Sequence, residues 1–123
     1  MKGFIFRCND KTKEEVFDRQ LFGEERDYLV LVKSISPEDL LFLYNTVTYE
    51  FSGPFKPASE GGEFIVKNAW QSKFPSQIKF EVLDNTSTIP FGKIEKIIKK
   101  FKNGIYPYME LDPDQLSKIM GQF

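Results

Sequence analysis

The sequence predicts an α+β fold, a curled sheet or small β-barrel flanked by helices. Three observations carry this. Strand-like and helix-like segments are interleaved along the chain, with no repeat or linker dividing them. Two apolar runs, residues 40–44 and 50–55, are joined by a polar turn and read as an antiparallel hairpin. Aromatic residues make up 15% of the chain, and 13 of them are Phe. That supply of rings suits either a small barrel core or a stacking surface.

The elements follow in order. Residues 3–8 (Gly-Phe-Ile-Phe-Arg-Cys) are aromatic and β-branched, a buried first strand. Asn9-Asp10-Lys11-Thr12 breaks it. Thr12 and Glu15 fit a capping box, with Val16, Phe17, Gln20 and Leu21 at helical spacing and Gly23 as the stop. Residues 24–27 form a charged loop, and 28–32 a second apolar run. Ser36-Pro37-Glu38-Asp39 reads as one helical turn capped by Ser36. The hairpin follows, with Gly53-Pro54 marking a bulge or a sheet edge. Residues 56–62 form a soft loop and 84–88 a polar one. Between them Ile78, Phe80 and Val82 alternate with Lys79 and Glu81, the period of a half-buried strand. Residues 91–101 give the clearest helix, with Ile94, Ile97, Ile98 and Phe101 on one stripe. Asp112 caps a last helix with Pro113 at its first position, and Leu116, Ile119 and Met120 face inward.

Composition bounds the function. A chain of 123 residues fits one domain spanning residues 1–123, and 41% hydrophobic with 28% charged residues is ordinary for a globular protein. The net charge of −1 means that any nucleic-acid contact must come from a local patch. One cysteine and no histidine exclude an internal disulfide, a Cys/His zinc site, and a Ser-His-Asp or Cys-His catalytic unit. A lone Cys8 argues for a reducing compartment, hence a cytoplasmic location. No segment reads as a signal peptide or membrane span, so no membrane partner is expected. No cofactor or metal is called for. The acidic pairs Glu14-Glu15, Glu24-Glu25 and Asp112/Asp114 lie at helix starts or in loops, where capping and solubility explain them.

The candidate site is the stretch 68–80. It holds the sole tryptophan, Trp70, with Phe74 four residues on and Pro75 next. Two assignments compete: ordinary core rings, or the walls of a pocket for a flat ligand such as a nucleobase. Asn9, Asn68 and Gln77 each offer a donor and an acceptor for a base edge. Asn9 serves equally well as a turn residue closing its own backbone. Lys67, Lys73 and Lys79 lie near the pocket in sequence and suit phosphate. Arg7 and Arg19 do the same or pair with nearby acids. Lys93, Lys96, Lys99, Lys100 and Lys102 form a basic helix face that tracks phosphates or is merely solvated.

Several motifs together resemble one family. Residues 3–10 (GFIFRCND) and Arg19-Gln20-Leu21-Phe22-Gly23 resemble the opening of the DCD (development and cell death) domain. Leu41-Phe42-Leu43-Tyr44-Asn45 with Gly53-Pro54-Phe55 resembles its hairpin. Gly61-Gly62, Ala69-Trp70 and Lys73-Phe74-Pro75-Ser76-Gln77-Ile78 resemble its central signature. The match runs from residue 3 to about residue 120. One departure stands out: the family usually has Leu-Pro after Leu-Phe-Gly, and here Glu24-Glu25 stand there.

The resemblance extends to the YTH and EVE modules of the PUA-like group. It implies a PUA-like fold and a non-enzymatic binding module. YTH modules hold a methylated adenine of RNA in an aromatic cage. By position, Phe22, Trp70 and Phe74 become cage candidates and Asn9 a base-edge contact. The implied partner is RNA or single-stranded DNA. The DCD link to stress and cell-death signalling implies instead a protein-interaction domain. A free nucleoside is a third ligand class, and oligomeric state stays open.

Overall fold

The computed structural model describes residues 1–98 and 108–123. Among these residues, seven strands form one curled mixed sheet and three α-helices pack on it. The elements are β1 (Gly3–Cys8), α1 (Lys13–Arg19), β2 (Leu21–Glu24), α2 (Leu29–Lys33), β3 (Leu40–Asn45), β4 (Glu50–Pro57), β5 (Gly62–Glu63), β6 (Ser76–Pro90), β7 (Glu110–Leu111) and α3 (Pro113–Met120). The strand order is β2-β6-β4-β3-β1-β7, with β5 also paired to β6. β1 and β3 run parallel, Gly3 opposite Leu40 through Cys8 opposite Asn45. The other pairs are antiparallel. This is the α+β curled sheet flanked by helices that the sequence predicts.

Period-2 alternation in β1 feeds two cores. Phe4, Phe6 and Cys8 join a cluster inside the curl with Phe22, Phe55, Trp70 and Phe80. Ile5 joins a second cluster with Phe42, Phe51, Phe91, Leu116 and Ile119, the face covered by α3. Seven of the 13 Phe are fully buried, so most of the aromatic excess is core and not a stacking surface. Phe22 lies between Phe6 (centroids 4.9 Å apart, 12°) and Phe80 (4.1 Å, 16°). Two such ring pairs add roughly 1–3 kcal/mol to the burial of the ring itself.

The curl brings β2 beside β1, yet no strand pairing joins them. A side chain bridges the gap. Glu24, only 3% exposed, accepts from the Arg7 backbone N–H (2.9 Å), its Nε (3.2 Å) and its Nη2 (2.9 Å). The guanidinium also lies 5.3 Å from the Tyr28 ring centroid. Burial pushes the Glu24 carboxyl above its ordinary range, against the pull of Arg7. The departure at Glu24-Glu25 therefore has a structural role: Glu24 turns inward to close the seam.

Several local expectations are corrected. Thr12 and Glu15 form no capping box. Asn9 organises the turn instead, its Oδ1 accepting from the N–H of Lys11 and Thr12 while Thr12 Oγ1 accepts from Asn9 N–H. The helix stops at left-handed Gln20 (φ 49°), not at Gly23, because Leu21 and Phe22 are drawn into the sheet. Ser36–Asp39 is a turn, not a helix, closed by Asp39 N–H to the Ser36 carbonyl (3.0 Å). The polar loop at 84–88 lies within β6, as an excursion between the pairs Val82–Phe55 and Ser87–Gly53. Phe91–Lys93 is one 3₁₀ turn followed by further turns to residue 97, and the rest of that predicted helix, from 99, lies outside the described residues. The loop 56–62 packs closely: a Cβ at Gly61 would lie 2.0 Å from the Val32 carbonyl oxygen. The bulge at Gly53-Pro54 and the capped α3 form as predicted.

Three outcomes follow. Phe22→Ala should lower the unfolding free energy by about 3–5 kcal/mol in urea titrations, the cost of an aromatic cavity. Glu24→Ala should cost roughly 3 kcal/mol by removing the buried carboxylate that meets Arg7 at its backbone and its guanidinium, and Glu24→Gln less, because it keeps an acceptor for the backbone N–H. Burial pushes the Cys8 thiol up to about 12. Folding thus favours the thiol; that contribution is whole below the unfolded value of about 8.5 and is lost as pH rises toward 12. Alkylation of Cys8 at pH 8.5 should be far slower folded than in urea.

Candidate functional site

The seam between β1 and β2 holds a cavity of about 140 Å³. Its walls include Arg7, Cys8 and Asn9 at the end of β1, Thr12 before α1, Gly23 and Glu24 of β2, and Phe74. β1 ends here because Asn9 folds its own carboxamide oxygen over the next turn. That leaves its amide nitrogen with no hydrogen-bond partner among the described residues.

Behind Gly23 lies Trp70. The absence of a side chain at 23 lets the indole pack on the backbone: a Cβ there would sit 2.4 Å from Trp70 Cζ3. The ring is 5% exposed, and its Nε1 donates to the Thr12 carbonyl at 3.1 Å. Half-buried Phe74 meets it edge-on, centroids 5.7 Å apart at 76°.

The backbone that delivers Trp70 is unusual. Trp70 (φ 48°), Gln71 (φ 55°) and Ser72 (φ 62°) are three successive left-handed residues, none of them Gly. Each costs ~1–2 kcal/mol, so the turn stores roughly 3–6 kcal/mol. Burying an indole of about 150–250 Å² gains roughly 4–6 kcal/mol. The two nearly balance. The Glu15 carboxylate, which accepts from Trp70 N–H at 2.9 Å, and Ser72 Oγ, which donates to the Lys67 carbonyl at 2.7 Å, help hold the turn.

Of the residues predicted from sequence, the fold brings Arg7, Asn9 and Phe74 to the cavity, with Trp70 behind them. The others are placed elsewhere. Phe22 is fully buried in the ring stack and offers no face to a ligand. Gln77 is also fully buried; its Oε1 accepts from Val66 N–H, and its Nε2 donates to the carbonyls of Val66 and Phe74. It clamps the loop and reads no base. Asn68, Lys67, Lys73 and Lys79 are exposed and do not line the cavity. Arg19 pairs with Glu15 at 3.1 Å, and Arg7 with Glu24, so neither is a free phosphate ligand. Sequence reasoning missed Gly23, Glu24 and Thr12. The signal for Glu24 was present: two residues after a core Phe in a strand, it faces the same way.

The whole chain was compared with known proteins. The model of the development and cell death domain matches residues 2–123. The B2 protein of Daucus carota is 42% identical over 84 residues, covering 63% of this chain and 41% of that protein. The DCD domain-containing protein NRP-B of Glycine max is also 42% identical over 84 residues, covering 63% of this chain and 26% of that protein. The chain thus spans well under two thirds of these relatives. Among solved structures, the Mmi1 YTH domain superposes with TM-score 0.74 at 14% identity, covering 98% of this chain and 93% of that one. The Pho92 YTH domain, solved in complex with m6A, gives 0.71 at 12%, covering 99% and 82%. The YTH domain of Zygosaccharomyces rouxii MRB1, solved with N6-methyladenosine RNA, gives 0.68 at 11%, covering 98% and 84%. At such identities the likeness is one of fold. With its family model matched from residue 2 to the last residue, the chain belongs to the development and cell death (DCD) domain family.

Proposed function

We propose that this chain is a non-enzymatic, cytoplasmic nucleic-acid-binding module that takes one base of an RNA or single-stranded DNA, modified or not, at the β1–β2 seam. The observation that carries the reading is the seam cavity itself, where an accessible ring, Phe74, stands beside Asn9 with its amide nitrogen unused. A flipped base needs both a stacking face and an edge contact. The fold shared with YTH domains solved with RNA supports the reading by analogy. Lys67 and Lys73, exposed on either side of the Trp70 turn, are the residues we assign to the phosphates.

A second reading is a protein-interaction domain. It rests on a different opening, of about 870 Å³, between Tyr28 and Leu31 on one side and Glu110, Asp112 and Gln115 on the other. Among the described residues its carboxylates, Asp27, Glu110 and Asp112, outnumber the lysine, Lys2, and suit a basic peptide segment.

A fluorescence titration of Trp70 with short single-stranded oligonucleotides tests the first reading. Binding should weaken with salt, with a log–log slope of about −1.4 to −2 for two or three phosphate contacts. Phe74→Ala should cost ~1–3 kcal/mol of affinity, and Asn9→Ala should weaken binding without lowering the salt slope. Retention of a basic peptide with no oligonucleotide response would favour the second reading.

A further inference from the structure

We propose that Trp70 is a displaceable gate over the seam: a base enters the cavity only when the indole leaves Gly23 and the Ala69–Ser72 turn relaxes. The part concerning the base rests on the nucleic-acid reading above; the displaceable ring does not.

With the indole in place the seam is an open depression of about 140 Å³, below the ~300 Å³ at which pockets that bury a drug-sized ligand begin. The missing room is where the indole sits. Trp70 shares three walls with the cavity: Gly23 beneath the ring, Thr12 at its N–H, and Phe74 at its edge. Moving the ring out joins its volume to the cavity without unfolding a strand.

The loop is built for such a movement. Its two ends are pinned by one buried side chain, Gln77, which bonds Val66 on one side and Phe74 on the other. Between the pins lie the three left-handed residues, of which Gln71 and Ser72 are exposed. Strain of this kind persists only where the surroundings hold it. Here the surroundings are the indole's seat on Gly23 and against Phe74, its N–H to Thr12, the Glu15 carboxylate on Trp70 N–H, Ser72 Oγ on Lys67, and the turn's own bonds from Gln71 N–H to Asn68 and from Lys73 N–H to Trp70. The strain offsets part of what these contacts supply, and a ligand that binds the open form better shifts the population toward it by that difference in affinity. The displaced ring then stands beside Phe74 as a second stacking face for the incoming base.

The full chain carries its own reporter, since Trp70 is the sole tryptophan. Gly23→Ala places a methyl group where the ring packs. In this variant, folded by circular dichroism, acrylamide quenching of Trp70 should rise at least about threefold and the emission should shift to the red. A folded Gly23→Ala protein whose Trp70 stays as protected as in the wild type overturns the gate. A second variant, Gln71→Gly, removes part of the cost of the left-handed turn and keeps the Ser72 bond to Lys67. It should raise the melting temperature and lower quenching below the wild type; an unchanged or lower melting temperature overturns the proposal even where Gly23→Ala fails to fold. An eight-nucleotide single-stranded RNA supplies the ligand arm. It should bind Gly23→Ala about tenfold tighter than the wild type, and Gln71→Gly more weakly. Equal affinities with unmoved Trp70 emission sink the gate and leave the nucleic-acid reading standing. No binding by any variant, with the ring released in Gly23→Ala, sinks the nucleic-acid reading and leaves the gate.

Discussion

A carboxylate stands where a strand would otherwise be. The curl of the sheet carries β2 round to β1, but the two never pair, and Glu24 meets the Arg7 backbone and guanidinium across the gap. Full closure by main-chain hydrogen bonds would leave no seam, and without Glu24 the Arg7 N–H would lose its acceptor, while β7 and the Asn9 turn hold the donors on either side of it. The side-chain bridge is short and local. It satisfies the backbone at one point and leaves space at the next, where the cavity lies.

The inner aromatic stack sets the position of that space. Phe6, Phe22 and Phe80 come from three strands and fix the distance between β1, β2 and β6. Beside Phe22, Gly23 leaves the room in which Trp70 packs. The ring stack and the indole thus belong to one buried cluster built round a four-residue strand. A turn of left-handed residues survives against such a firm support.

Much of the fold is legible in the sequence because it rests on periodicity. The alternation from Ile78 to Phe80, the hairpin, and the capped α3 are local patterns with one sensible outcome. The misreadings occur where tertiary contact overrides local preference. Thr12 and Glu15 have the spacing of a capping box, yet Glu15 is taken by Trp70 N–H and Thr12 by Asn9. Leu21 has helical spacing and Phe22 precedes the expected stop, yet burial draws both into β2. The site is less legible. Asn9, Arg7 and Phe74 carry a recognisable chemistry, but whether Phe22 or Gln77 points to solvent depends on strand register and loop path, which residue types do not encode. The glycine at 23 reads as a stop signal in one dimension and as a ring seat in three.

The Leu83–Thr86 excursion of β6 has its own consequence. Past Phe80, no strand among the described residues pairs with the outer margin of β6. A straight, apolar margin of that length is a template on which a second molecule can grow. Here Leu83 N–H turns back to Thr86 Oγ1, which in turn bonds the Pro54 carbonyl, and exposed Glu81 and Asp84 flank the kink. The irregularity interrupts the repeat of donors and acceptors that edge-to-edge pairing of sheets requires.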